Sequence, residues 1–195
     1  MLISIDRFAI AVKPAMDFED LLVRYAGPGG HVEGKVLYTY GCFAESSIIH
    51  AEYGRKTGET KSRYYYAVPS ADGVMILEVP LRYYDTMEML TEQTFDYLYG
   101  FSGGKEPQVD VRVNGYVVKN DSESLQRMLE GYLEGLGFSN QGIADMGEVY
   151  IIKQDDMLAQ LRNLFVGSAI SLAAGLILLT IRKREKLAVF FGKSR

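Results

Sequence analysis

Cys42 and His50 are the first residues to weigh for chemistry. The chain holds one cysteine and two histidines, His31 and His50. A thiol becomes a nucleophile when a neighbouring imidazole removes its proton, so Cys42 with His50 is one pairing to consider. A small residue buried at a strand end accounts for Cys42 more simply. His31 and His50 read as structural or surface residues, because nothing near either has the spacing of metal ligands. No metal and no cofactor are expected. Neither a Gly-x-Ser-x-Gly elbow nor a phosphate loop nor a dinucleotide fingerprint occurs. Gly100-Phe-Ser-Gly-Gly104 is glycine-rich, but it follows an expected helix instead of opening one. It therefore lacks the free helix amides that hold a phosphate.

The tyrosines are the richer set. There are 14 of them and no tryptophan. Tyr38, Tyr40, Tyr53, Tyr64, Tyr65 and Tyr66 lie on adjacent expected strands. Tyr38, Tyr40, Tyr64 and Tyr66 form the candidate ligand-binding group, an aromatic platform for a sugar or peptide. The competing reading places alternate tyrosines in the core and the others in cross-strand pairs. Arg55, Lys56, Lys61 and Arg63 gather at one hairpin. They suit either contact with an anionic surface or an ordinary solvated tip.

The elements that would position these residues can be read from pattern. Val32 to Tyr40, Ser46 to Tyr53, Arg63 to Val68 and Val74 to Val79 are rich in Val, Ile and Tyr and read as strands. Residues 54 to 61 read as a hairpin connection, and Ser70-Ala-Asp-Gly73 as a turn. Phe18 to Tyr25 suits a short helix. Asp85 with Glu88 resembles a capping box, ahead of helical spacing in Met87, Leu90, Thr94, Tyr97 and Leu98. Val109, Val111 and Val113 alternate with polar residues, and the strand resumes through Val117. A second helix starts near Asp121, with an apolar stripe of Leu125, Met128, Leu129, Tyr132, Leu133 and Leu136. Val149 to Ile152 is a short strand. The fold class predicted is α+β: a small antiparallel OB-like barrel or coiled sheet with two packed helices. Val32 to Val36 and Val111 to Val117 would be its first and last strands, each with a Gly that permits coiling. An open antiparallel sheet with two helices is the second choice.

Leu164 to Ile181 carries no charge. A helix rises about 1.5 Å per residue and a bilayer core is about 30 Å thick, so this segment with its flanks suffices for one C-terminal transmembrane helix. Arg182, Lys183, Arg184 and Lys186 follow at once and set the topology, since positive residues stay cytoplasmic. Residues 1–163 hold 15 Lys/Arg against 24 Asp/Glu, and the remainder 6 against 1. The resulting division is an N-terminal segment at 1–30, an extracytoplasmic domain at 31–154, a membrane helix at 155–182 and a basic cytoplasmic tail at 183–195. Gly167, Ser171 and Gly175 make a small-residue stripe for packing against a second copy or a partner membrane helix.

A single cysteine excludes an intrachain disulfide, which in an exported domain suits a bacterium. The acidic balance of the domain excludes nucleic-acid binding. Four stretches carry a resemblance. Val-Glu-Gly-Lys-Val with Gly41 to Glu45, Arg63 to Pro69, and Val-Asn-Gly-Tyr-Val-Val-Lys resemble a bacterial membrane-protein family of undescribed function. The resemblance covers about residues 31–181. It implies one extracytoplasmic domain between two membrane helices and brings no functional residues. The first of those helices has no counterpart here, so an upstream helix or export signal is expected before Met1. The function expected is that of a non-enzymatic, membrane-anchored module in the cell envelope, with the lipid bilayer and another helix as partners. The alternative is an envelope enzyme using Cys42 and His50 or a carboxylate pair.

Overall fold

A computed structural model describes residues 5–53, 55–156, 158, 161, 163–174 and 177. They fall into two compact units, residues 12–156 and a second made of the residues on either side.

Six strands build the larger unit: β1 (His31–Lys35), β2 (Gly41–Glu52), β3 (Arg55–Ser70), β4 (Gly73–Pro80), β5 (Arg112–Lys119) and β6 (Tyr150–Gln154). They form one sheet in the order β1-β5-β6-β4-β3-β2. Beside α1 (Ile5–Ala11) of the smaller unit, the chain carries α2 (Phe18–Leu21), α3 (Tyr84–Leu98), α4 (Glu123–Gly135) and α5 (Asn140–Asp145).

Strand alternation sends side chains to two faces. Tyr64, Tyr66 and Val68 of β3 join Met75, Leu77 and Val79 of β4 on one face, against Phe18 and Leu21 of α2 and Met87 and Leu90 of α3. Tyr65, Ala67, Val74 and Ile76 face the other way, against Leu125, Leu129 and Leu133 of α4. The result is three layers, helix on sheet on helix. That explains why β4 reads as an almost continuous apolar run: it is covered on both sides.

The fold is α+β, but the barrel is not formed. The sheet is open, with β1 and β2 at its edges. The expected first and last strands do lie together, Val32 opposite Gly115 and Gly34 opposite Val113. What prevents closure is β6. Expected only as a short strand, it occupies the centre of the sheet, antiparallel to β5 and parallel to β4 through Ile76↔Ile151 and Leu77↔Ile152. Every pairing among β1 to β5 is antiparallel. Gly115 also has a different role from the coiling assigned to it. A Cβ there would stand 2.5 Å from the Lys153 carbonyl oxygen, so the glycine lets β6 approach closely.

Three local readings change as well. Residues 55–61 are strand, not connection: Thr60 pairs with Ile48, Glu59 with Ile49 and Gly58 with His50. The turn is confined to the neighbourhood of Tyr53, whose φ of 51° is left-handed. Asp85 caps nothing, because a short 3-10 turn at Leu81–Tyr83 runs straight into α3, whose N-cap Tyr83 makes no side-chain cap bond. Residues 36–40 belong to no strand, although the Val36 amide still donates to the Val111 carbonyl and the Tyr40 amide to the Ala67 carbonyl, each at 2.8 Å. For α4 the reading is close, with Ser122 as N-cap accepting from the Leu125 amide.

In the smaller unit residues 163–174 are helical and each is exposed. Ser168 Oγ donates to the Leu164 carbonyl at 2.7 Å and Ser171 Oγ to the Gly167 carbonyl at 2.8 Å. Among the described residues no helix is long and apolar enough to cross a membrane. Gly175 and the basic residues Arg182, Lys183, Arg184 and Lys186 lie outside the described residues.

Candidate functional site

The base of β2 gathers a network of buried polar groups. The chain reaches it through Thr39, fully buried, whose hydroxyl donates to the Ala67 carbonyl at 3.0 Å and accepts from the Gly41 amide at 3.1 Å. The Thr39 amide in turn donates to Thr94 Oγ1 of α3 at 3.3 Å. From the opposite layer Tyr132 of α4 donates to the Tyr40 carbonyl at 2.8 Å. Gly41, at φ 117°, is enclosed between the Tyr132 hydroxyl and the Thr91 methyl, which leaves no room for a side chain. Helices from both layers thus clamp one strand end.

Cys42 lies immediately beyond that clamp, opposite Tyr66 in the register. The phenol of Tyr66 is fully buried and donates to Glu88 of α3 at 2.9 Å. Tyr64, on the same face, packs its ring 4.6 Å from that of Tyr84. Burial pushes the Cys42 thiol up. Backbone hydrogen bonding at Ala44 and Tyr65 opposes the rise but is outweighed by that desolvation, and Glu88 and Glu45 push the same way as burial. Burial also raises the Tyr66 phenol, and its bond to the Glu88 carboxylate adds to the rise. A thiol held protonated among carboxylates is a poor nucleophile.

His50 does not join it. It sits far along β2 on an exposed stretch, its Nε2 2.9 Å from Thr60 Oγ1. Eight positions of strand separate it from Cys42, about 26 Å of rise. His31 is buried, with Nε2 3.1 Å from Asn114 Oδ1 and Nδ1 3.4 Å from the Lys13 carbonyl. Among the described residues no cluster of three or more His, Cys, Asp or Glu could hold a metal ion.

The four platform tyrosines are dispersed. Tyr64 and Tyr66 are core residues. Tyr38 stacks on Tyr97 of α3 at 5.8 Å, while Tyr40 meets Phe138 edge-on at 5.4 Å in the α4 layer. Two buried rings and two rings engaged with different layers do not make one exposed surface. The basic hairpin is largely neutralised: Lys56 pairs with Glu59 at 2.6 Å, Lys61 with Glu45 at 2.6 Å and Arg63 with Glu78 at 3.7 Å. Arg55 stands opposite Glu52. In the small-residue stripe, Gly167 and Ser171 lie one helical turn apart, and a Cβ at Gly167 would meet nothing within 4 Å.

Sequence reasoning missed two features. Glu88 was read as half of a capping box and is instead the acceptor for Tyr66. The second is the outer half of β2. It projects as a two-stranded ribbon with β3, because β4 pairs only with Arg63–Ser70. Ile48, Ile49 and Tyr53 are exposed on it. The signal was available as an uncharged run, Ser46-Ser-Ile-Ile-His-Ala51, between Glu45 and Glu52.

No curated protein and no solved structure matches the chain. Residues 15–192 match a family described as a domain of unknown function, DUF8577. The match takes in the whole sheet, both helical layers and the apolar segment that follows, so the chain belongs to the DUF8577 family.

Proposed function

We propose that this protein is a membrane-tethered, non-enzymatic module whose α+β domain stands outside the cytoplasm and supports or binds a partner in the cell envelope. The observation that carries the tether is the helical run 163–174. All of it is exposed, and from Leu164 onward it lies inside a stretch, Leu164 to Ile181, without a single charge. Leu164, Ile170 and Leu172 are each more than 60% exposed, which is costly in water and favourable in lipid. Ser168 and Ser171 donate back to carbonyls of their own helix, as hydroxyls in a hydrocarbon environment must. Arg182, Lys183, Arg184 and Lys186 support a cytoplasmic tail, and the acidic balance of residues 1–163 suits the opposite side.

A binding role is supported by what the polar groups do. The Cys42 corner uses its hydroxyls and carboxylate to fasten strand to helices, the thiol bonds within its own strand, and His50 is remote from it. The experiment is alkaline carbonate extraction of membranes containing the full chain. Retention in the pellet is expected. Release of the chain into the supernatant, as for a peripheral protein, would contradict the tether.

A further inference from the structure

We infer that the free edge of β2 between Glu45 and Glu52 is a self-association site, at which a second copy of this chain pairs antiparallel to extend the sheet. A sheet edge exposes unpaired amides and carbonyls, and folds ordinarily guard such edges with charge, bulges or a covering segment. The other edges here are guarded. Along β1, the Met16 amide donates to the His31 carbonyl at 2.8 Å and the Glu33 amide to the Met16 carbonyl at 3.0 Å, so a neighbouring segment covers that strand. In the projecting ribbon, β3 carries Arg55, Lys56, Glu59 and Lys61. It also takes the irregularities: the register skips Thr57 and Ser62, both on β3. Over the same span β2 pairs residue by residue from Ser47 to His50 and has no charge from Ser46 to Ala51. Among the described residues this regular, uncharged edge belongs to the part of the β2–β3 ribbon that β4 does not reach.

Exposure and charge favour a second copy as the occupant. Ile48 and Ile49 are 55% and 62% exposed, on opposite faces of a ribbon that has no covering layer. Two strands alone are marginal in water, and pairing with two more would give a four-stranded ribbon. An antiparallel twofold centred on Ile48 sets Ile48 against its own copy, Ser47 against Ile49, and Glu45 against Ala51. A twofold centred on Ile49 sets Ser46 against Glu52. Neither opposes two carboxylates, and both bury isoleucine on isoleucine, the self-complementarity a twofold contact requires. A contact of roughly six residues a side is at the low end for a stable interface, so association is expected to depend on concentration. The inference does not depend on whether residues 164–181 cross a bilayer.

Cysteine crosslinking of the full chain in detergent tests it, in a Cys42→Ser background. Cβ atoms directly opposed across an antiparallel pair stand about 5 Å apart, within disulfide reach after small adjustment. Ile48→Cys or Ile49→Cys should give a disulfide-linked dimer under mild oxidation, whereas Lys56→Cys on the other strand should not. Ile48→Lys and Ile49→Lys, each at an exposed position, should abolish the dimer by light scattering and leave the folded monomer. Three results would overturn the inference. They are a monomer at all concentrations, crosslinking at Lys56→Cys equal to that at Ile48→Cys, or capture in native membranes of a chain of different mass in place of a second copy.

Discussion

The phenol of Tyr66 is the residue whose chemistry most constrains the core. It is fully buried, donates to Glu88 at 2.9 Å, and is pushed far above its usual value by burial and then by that bond. Removing one partner of a buried hydrogen bond to a charged group costs on the order of 1–3 kcal/mol. Tyr66→Phe is expected to lower the unfolding free energy by about that amount in urea titrations. The same residue imposes a pH dependence. A phenol in the unfolded chain ionises near pH 10, while the folded one keeps its proton, so alkali favours the unfolded state. This contribution is intact below about pH 10 and is lost as the pH rises further. Cys42, raised in the same direction, adds to the loss from nearer the ordinary thiol range. Tyr66→Phe should therefore flatten the alkaline fall in stability relative to the parent chain. An unchanged slope would show that the phenol is not held neutral by the fold. The run Tyr64-Tyr65-Tyr66 announced an alternating strand, and that much was legible. Which tyrosines are buried was not, because burial depends on α3 and α4, and their faces are set by tertiary packing.

At the scale of elements, α4 was the most legible. Its Leu125, Leu129 and Leu133 recur at helical spacing and all three are buried. The strand Arg55–Lys61 was hidden for the opposite reason. A ribbon with both faces in water needs no apolar alternation, so a sequence dense in Lys, Thr, Gly and Glu reads as loop. Stability along β3 should follow this division. Its inner half is held between two helical layers, and its outer half only by β2. In the Ile48→Lys variant, amide hydrogen exchange is expected to be markedly faster across residues 47–61 than across β4 and β6. Equal protection in the two regions would mean that the ribbon is packed against something other than a second β2. The central place of β6 was also out of reach. Tyr150–Gln154 is five residues long, and nothing local in so short a run tells an edge strand from a central one. Its position follows from the chain passing over α4 and returning between β4 and β5.

For the whole molecule, charge and hydropathy were legible where detailed topology was not. The acidic excess of residues 1–163, the uncharged stretch Leu164 to Ile181 and the basic tail after it are properties of the sequence. They are the basis of the proposed arrangement, in which the sheet domain would stand outside, the apolar segment in lipid and the tail inside. Barrel against open sheet was a choice that composition does not make, because both use the same alternating strands. The arrangement across the membrane is the central claim, and one measurement reaches it most directly. The full chain, expressed in its own host from its native locus, is given Cys42→Ser and Tyr53→Cys. Position 53 is fully exposed at the ribbon tip, so its thiol will react wherever reagent is present. An impermeant maleimide is added to intact cells, and the membrane fraction is then assayed before and after lysis. The account predicts full labelling of membrane-bound chain without lysis. Labelling only after lysis would place the domain in the cytoplasm and contradict the account.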